Sequence, residues 1–455
     1  MVKVQTVFEI NKITEDNIKS VRSDTGEVAI IDYRNWKTIQ KKQPVYKVPI
    51  EFCLFRTDNG RIMTEVLSYT TISGSLEDRN DQKVQEIISK FLSEKDKEKN
   101  KELKSYLKKD GQTDPAIITA DGLLINGNRR KMALESLYQS DPKEDYKYLK
   151  VVILPGTGDA ERPTIRDIAL LENRLQFQEM GKSDYTAMDK ALKLIQNTDY
   201  GIPLVELLKD DPAFSEKNDK DFEKAVQKFK NENIEPIKLM TEYLGMNKIK
   251  GDYSRIEDKW TAFQELNTKI VSKLKDAKTL ATYEINDNET GLIKAAAFNI
   301  IKMRDHSAVN VRTHKLMNDI FKWISADKKE FLKIGRIEDV ASEIQDPDER
   351  FEKWNDENNE KILKSLKKLK GLAEKIKDQQ DPITRLEEAL QKLNHEDLDY
   401  NQVTQMPKSD IEEARRLANS AQTQATYLTD MFYYLEKGDE FKLEALVKEY
   451  KKRQN

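Results

Sequence analysis

The first 75 residues alternate apolar and polar positions. The stretches VKVQTVFEI, EVAIIDY and YKVPIEFCLF, rich in Val, Ile, Phe and Tyr, predict strands, and Asp58-Asn59-Gly60 predicts a turn between two such runs. Over residues 81–109 the period becomes helical. Val84, Ile87, Ile88 and Phe91 form one stripe, and a lysine-rich stretch leads on to Leu103 and Leu107. PAIITA and GLLING then predict a hairpin about Ala120-Asp121-Gly122, followed by a helix from Asn128 carrying Ala133, Leu134 and Leu137. LKVVILP reads as one more strand. Thr164 and Ser183 read as N-caps of two helices, with Ile165, Ile168, Ala169, Glu172 and Leu175 down one side of the first and Tyr185, Met188, Leu192 and Ile195 on the inner face of the second.

From about residue 200 the pattern is almost wholly helical, with breaks at Gly201-Ile202-Pro203, Asp211-Pro212, Gly245, Gly251, Asp346-Pro347, Asp381-Pro382 and Met406-Pro407. Leu363, Leu366, Leu369, Leu372, Ile376, Leu386 and Leu390 have near-heptad spacing. Pro382 lies within that run and predicts a helical hairpin rather than one coiled coil. The fold class expected is α+β: a small mixed sheet with helices, then a mostly all-helical C-terminal half. The expected domains are 1–200, 201–290 and 291–455, two to three domains being the norm for 455 residues.

Composition narrows the chemistry. The 78 basic and 81 acidic residues leave a net charge of −3, which argues against wholesale coating of nucleic acid but permits a local basic patch. A single cysteine, Cys53, excludes an internal disulfide framework and a cysteine-rich zinc site. His306, His314 and His395 are too scattered for a metal constellation, and nothing points to zinc or haem. No stretch is apolar for long enough to cross a bilayer, and the N-terminus lacks the pattern of a signal peptide, so a cytoplasmic protein is expected.

The most informative segment runs strand, turn, strand, glycine, two arginines, helix: Asp121-Gly122-Leu123-Leu124-Ile125-Asn126-Gly127-Asn128-Arg129-Arg130. Gly127 permits close backbone approach to an anion. The new helix points unpaired N–H groups and the positive end of its dipole at the same place. Arg129 or Arg130 can grip phosphate oxygens in a bidentate fork. Paired arginines at a helix start also occur simply in solvent or bound to carboxylates, so the loop alone leaves phosphate binding and a plain surface role evenly matched.

This segment resembles the second box of the ParB/sulfiredoxin superfamily, a hairpin followed by Gly-Glu-Arg-Arg and an alanine-bearing helix. Val48-Pro49-Ile50-Glu51 with Asn59-Gly60-Arg61 is similar to the first box, and Ala169-Leu170-Leu171-Glu172-Asn173-Arg174-Leu175-Gln176 to the third; Lys182-Ser183-Asp184-Tyr185 follows where the family places its next helix. The resemblance covers roughly residues 45–200. It implies a pocket for a nucleoside triphosphate, CTP or ATP, with magnesium. Gly127, Asn128, Arg129 and Arg130 would hold phosphates, and Arg61 would approach from the first box. Gln112 would face base or phosphate. Glu172 and Asn173 would lie at the magnesium, as hard oxygen donors, with an exposed helix surface as their plainer reading. Asn128 stands where the family has a glutamate, and an amide cannot act as a general base. The cysteine that sulfiredoxin chemistry needs is absent from this loop; Cys53 reads as a buried structural thiol in a strand.

The resemblance further implies a nucleotide-dependent, DNA-associated switch or effector that forms a homodimer. Residues 200–250 fit three short helices, loosely like a helix-turn-helix region, in which Gln227, Lys228, Lys230 and Asn231 would be the groove-facing polar set; a packed helical adaptor fits as well. The basic stretches between Lys302 and Arg336 and at 361–377 read as DNA-backbone contacts or as solvated helix faces. Two other functions remain open. One is an NTP hydrolase or ParB-like nuclease, for instance in bacterial phage defence, with Glu172 as its catalytic carboxylate. The other is a helical interaction scaffold with a degenerate pocket.

Overall fold

The computed structural model describes residues 8–31, 33, 41–177, 186–209, 211–215, 217–304, 313–338, 343–393 and 405–454. The expected strand over residues 2–7, Ser183 and Tyr185 as cap and core, His306 and His395 lie outside them. Met1–Glu374 form one compact unit and Lys375–Asn455 a second.

The first unit is α+β. A five-stranded mixed sheet is built from β1 (Ser23–Ile30), β2 (Lys42–Pro49), β3 (Ala116–Ile118), β4 (Leu124–Asn126) and β5 (Tyr148–Ile153), in the order β1-β2-β5-β3-β4. All neighbours are antiparallel except β3 and β5, which pair in parallel. Its helices are α1 (Lys12–Val21), α2 (Met63–Ile72), α3 (Gln82–Lys95), α4 (Lys97–Asp110), α5 (Asn128–Ser140) and α6 (Ile165–Phe177). Strand residues alternate between two covered faces. Val48, Ile118, Leu124, Leu149 and Val151 pack with Val84, Ile88, Leu92 and Leu134 of α3 and α5. Val45, Ile117, Ile125 and Val152 pack with Ile168 and Leu171 of α6 on the other side.

The run after the Asp58-Asn59-Gly60 turn is helical, not extended as its Val, Tyr, Thr and Ile suggested. Tertiary partners decide it. As a helix, α2 buries Met63, Thr64 and Ser68 together; Thr64 donates to Asp189 from both its N–H (3.1 Å) and its hydroxyl (2.5 Å), and Ser68 Oγ accepts from Ser254 N at 2.8 Å. The expected strand through residue 55 likewise ends at Pro49. A 3-10 turn follows at Ile50–Phe52, and Leu54 forms one isolated bridge to Leu123. Cys53 is buried there in a loop, and burial pushes its thiol up to about 12. Thr164 does cap α6, in a reciprocal pair with Asp167 (2.9 and 3.1 Å).

The remaining helices of this unit are α7 (Ala187–Asp199), α8 (Leu204–Leu208), α9 (Pro212–Ser215), α10 (Asp219–Phe229), α11 (Glu235–Met246), α12 (Trp260–Glu265), α13 (Ala277–Thr282), α14 (Asp287–Lys302), α15 (Thr313–Met317), α16 (Ile320–Gly335) and the start of α17 (Pro347–Leu393). They share one apolar core, centred on residues such as Leu207, Met240, Phe263, Ile293, Phe331 and Trp354. The N-cap of α7 is Thr186, whose hydroxyl accepts from Asp189 N; Met188 and Leu192 are buried as expected. The expected second and third short helices of residues 200–250 are continuous. A π-helical segment, Lys230–Ile234, joins α10 to α11, and its free carbonyls at Asn231 and Glu232 accept from Asn267 (2.6 Å) and Gln264 (2.8 Å).

The second unit contains the end of α17, then α18 (Lys408–Lys437) and α19 (Glu440–Gln454). Backbone geometry is helical through Pro382, so the expected hairpin at this proline is not formed. Pro407 and Gly438 do end helices as their sequence signals suggest: Pro407 precedes α18, and Gly438 takes the left-handed conformation after it.

Candidate anion-binding cleft

A cleft of about 370 Å³ opens where β4 turns into α5. Gly127 makes the turn with φ +87°, and a Cβ there would lie 2.5 Å from the Ala116 Cβ, so both conformation and space require glycine. The helix begins without a side-chain cap and without an acidic residue in its first turn; it begins instead with Asn128, Arg129 and Arg130. Cations at a helix N-terminus oppose the helix dipole, an arrangement that costs stability unless an anion is nearby. The first intrahelical bond here is Lys131 N–H to Gly127 C=O, which leaves the N–H groups before it without helical partners.

Arg61, Gln112, Gly127, Asn128, Arg129 and Arg130 all line this cleft. Arg129 Nε donates to Asn100 Oδ1 at 2.8 Å, while its Nη2 is buried without a hydrogen-bond partner. Asn100 is itself pinned at the α3–α4 corner by donating to Leu92 O (2.8 Å) and Ser93 O (3.2 Å). Burial first and Arg61 second hold the Arg129 guanidinium below its ordinary pKa, against Asp96 and Glu102. Two further polar atoms of the cleft residues are buried and unpartnered: Asn59 Nδ2, a donor, and Asn128 Oδ1, an acceptor. Arg61 Nη2 reaches Gln176 Oε1 at 3.4 Å, and Arg130 donates to the Asp114 carbonyl. Among the described lining residues, three arginines face one acid, Asp114. A wall of Leu103, Leu107 and Tyr106, whose hydroxyl is 2.8 Å from Thr113 Oγ1, gives the cleft an apolar side.

Gln112 is at the cleft, but its amide works on the fold. It donates to Lys150 O (2.8 Å), accepts from Lys150 N (2.7 Å) and donates to Asp114 O (2.9 Å), continuing the β3–β5 ladder past Ala116 by a side chain. Asn59 and Gln176 are cleft residues to which sequence reasoning gave no role, although both sit inside the matching boxes.

Glu172 and Asn173 are not among the residues lining the cleft, and they are buried rather than exposed. Glu172 Oε2 lies 3.3 Å from Arg56 Nη1 and 3.2 Å from Lys193 Nζ. Asp58 completes the cluster, accepting from Arg56 Nε at 2.8 Å, and Lys193 donates to Asp58 O at 2.5 Å. Burial works against the Arg56 charge, but Asp58 and then Glu172 outweigh it and raise its pKa; burial likewise opposes the Asp58 carboxylate, and Arg56 and Lys193 keep it below its ordinary value. Asn173 Nδ2 donates to Leu207 O at 2.8 Å. With Glu172 engaged by two cations, this pair does not fit a magnesium ion in the cleft as the side chains stand. Among the described residues no three His, Cys, Asp or Glu side chains cluster as metal ligands, and no helix is long and apolar enough to cross a membrane.

No family model, no curated protein and no solved structure matches this chain.

Proposed function

We propose that this chain is a nucleotide-binding protein of the ParB-like kind, acting as a nucleotide-dependent, DNA-associated switch, and that its cleft takes the phosphates of a nucleoside triphosphate at the start of α5. The observation that carries the reading is the convergence of Arg61, Arg129 and Arg130 on one cleft at an uncapped helix start. A phosphate at this helix start stands at the positive end of the helix dipole and relieves the repulsion between Arg61 and Arg129. Asn59 Nδ2 adds a neutral donor. The nucleobase lies against Tyr106, Leu103 and Leu107. Association with DNA and dimerisation enter through the resemblance of the three boxes.

Binding without fast hydrolysis is the better-supported form of this reading. Asn128 replaces the family's glutamate, and Glu172 is committed to Arg56 and Lys193. Isothermal calorimetry with CTP, ATP, GTP and UTP, each with magnesium and with EDTA, tests it. Saturable binding of one of the four is expected, weakened at least 30-fold by the double substitution Arg129→Ala/Arg130→Ala. A folded wild type that binds none of them refutes the proposal.

A further inference from the structure

In the second unit no apolar side chain is buried among the described residues, and α18 buries none along its 30 residues. Its sequence nevertheless keeps a strict seven-residue apolar repeat. Ile411, Ala418, Ala425 and Phe432 hold the first position of the repeat, and Ala414, Ala421, Leu428 and Leu435 hold the fourth, with no polar residue in either series. Sustained over four repeats, this spacing marks a helix paired along a coiled-coil seam, because a period of about 3.5 residues keeps these positions on one face. All of them are exposed except Leu428, which is half-buried. A helix gains most of its stability by packing such a face, and here the face is bare. α19 takes a different flank: Tyr427 stacks on Tyr450 with ring centres 4.0 Å apart and donates to Leu446 O at 3.1 Å. The end of α17 does not cover the seam either, its own Ile383, Leu386 and Leu390 being exposed.

Size and charge along the seam select its occupant. Set antiparallel to a second copy about a two-fold axis between Thr426 and Tyr427, each first position faces a fourth position. Leu428 of one copy then faces Ala425 of the other, Phe432 faces Ala421, and Leu435 faces Ala418. A large side chain meets a small one in every layer, which keeps the two helices evenly spaced. A parallel, in-register pair would instead set Phe432 on Phe432 and alanine on alanine, crowded at one end and hollow in the middle. The flanking charges agree with the antiparallel alignment. Arg415 and Glu436 both hold the fifth position of the repeat, and the alignment brings each beside the other at both ends of the seam. We infer that α18 pairs antiparallel with α18 of a second copy of this chain, through a contact that requires no nucleotide. The pairing uses no residue of the α5 cleft and stands whether or not that cleft takes a nucleotide.

The test runs the full chain, free of nucleotide and in EDTA, by sedimentation velocity over a dilution series. A reversible dimer is expected, and Leu435→Asp should abolish it. Arg415→Glu and Glu436→Arg should each weaken it about tenfold, since two pairs change in every dimer. The two charge changes together should restore it, a recovery that no folding defect imitates. In Ala418→Cys/Leu435→Cys, oxidation should join position 418 of one copy to position 435 of the other, read by peptide mass spectrometry. The two positions lie about 26 Å apart along a single helix, so that cross-link cannot form within one copy. A chain that stays monomeric at tens of micromolar overturns the inference. So does a dimer indifferent to Leu435→Asp, a charge swap that restores nothing, or cross-links that join each position to its own counterpart.

Discussion

Arg56 and Arg61 flank one short stretch of chain and stand in opposite surroundings. Arg56 is buried among Asp58, Glu172 and Lys193, where two cations meet two anions. Arg61 and Arg129 share a cleft with Arg130 and, among the described lining residues, one acid, Asp114, and Arg129 keeps a buried N–H unpartnered. The first arrangement is closed: its charges answer one another and hold α6 and α7 to the loop after β2. The second gathers cations at the start of a helix, the end where its dipole disfavours them. The two sites differ in the balance of charge that the fold brings within reach of each arginine.

The comparison can be broken most forcefully at Glu172. Glu172→Gln leaves Arg56 and Lys193 with Asp58 as their one carboxylate among the described residues, and should cost about 3–5 kcal/mol in urea unfolding. A stable variant that merely loses turnover would instead make Glu172 catalytic. Gly127→Ala should cost about 2–3 kcal/mol, from left-handed backbone strain and the Ala116 contact, and should weaken nucleotide binding in calorimetry as the turn shifts. Arg129→Ala should lower nucleotide affinity about 10- to 100-fold, the worth of one hydrogen-bonding group facing a charged partner, with much less loss of stability than Glu172→Gln. Asn100→Ala, which frees Arg129 without removing it, should weaken binding only several-fold and destabilise by about 1 kcal/mol, read by calorimetry and urea unfolding.

The smallest effect belongs to a paired cluster that is partly open to water. Glu330 accepts from Lys368 and Lys333 at 2.9 Å and from Ser365 at 2.8 Å, and these partners, Lys368 foremost, hold its carboxyl at about 2. A depressed folded-state pKa adds stability above the usual carboxylate range of about 4.5, and that stability is lost as pH falls through about 2. Glu330→Gln should therefore be less stable than wild type by under about 1 kcal/mol at pH 6, because both lysines are half solvated, and the difference should vanish near pH 2 in urea melts.

Much of the cleft was legible in the chain because its parts are local. The hairpin before Gly127, the glycine itself and the helix from Asn128 lie within a dozen residues, and alternation followed by a 3.6-residue period marks each. Arg61 and Gln176 were reachable only through the spacing of the boxes. Asn100 was not, since it sits on a lysine-rich helix, 29 positions from the arginine it holds. The burial of Glu172 was hidden for the same reason, its counter-charges being Arg56 and Lys193. Propensity misled at α2, where contacts with Asp189 and Ser254 override strand-forming residues. It misled again at Pro382, where the helix continues despite the bond a proline cannot donate.

The α3–α4 corner has one more consequence. Asn100 spends its amide on Leu92 and Ser93 and its oxygen on Arg129, while Lys95, a few residues earlier, is tied to Asp189 (2.7 Å), Glu65 (2.8 Å) and Glu257 (3.5 Å). The long arginine side chain is thus anchored before any ligand arrives. Ordering a flexible side chain on binding ordinarily costs about 0.5–1.5 kcal/mol, and here folding has already met that entropy. The cleft should behave as a rigid receptor, whose affinity reports the shape and charge of its ligand more than the cost of arranging the protein around it.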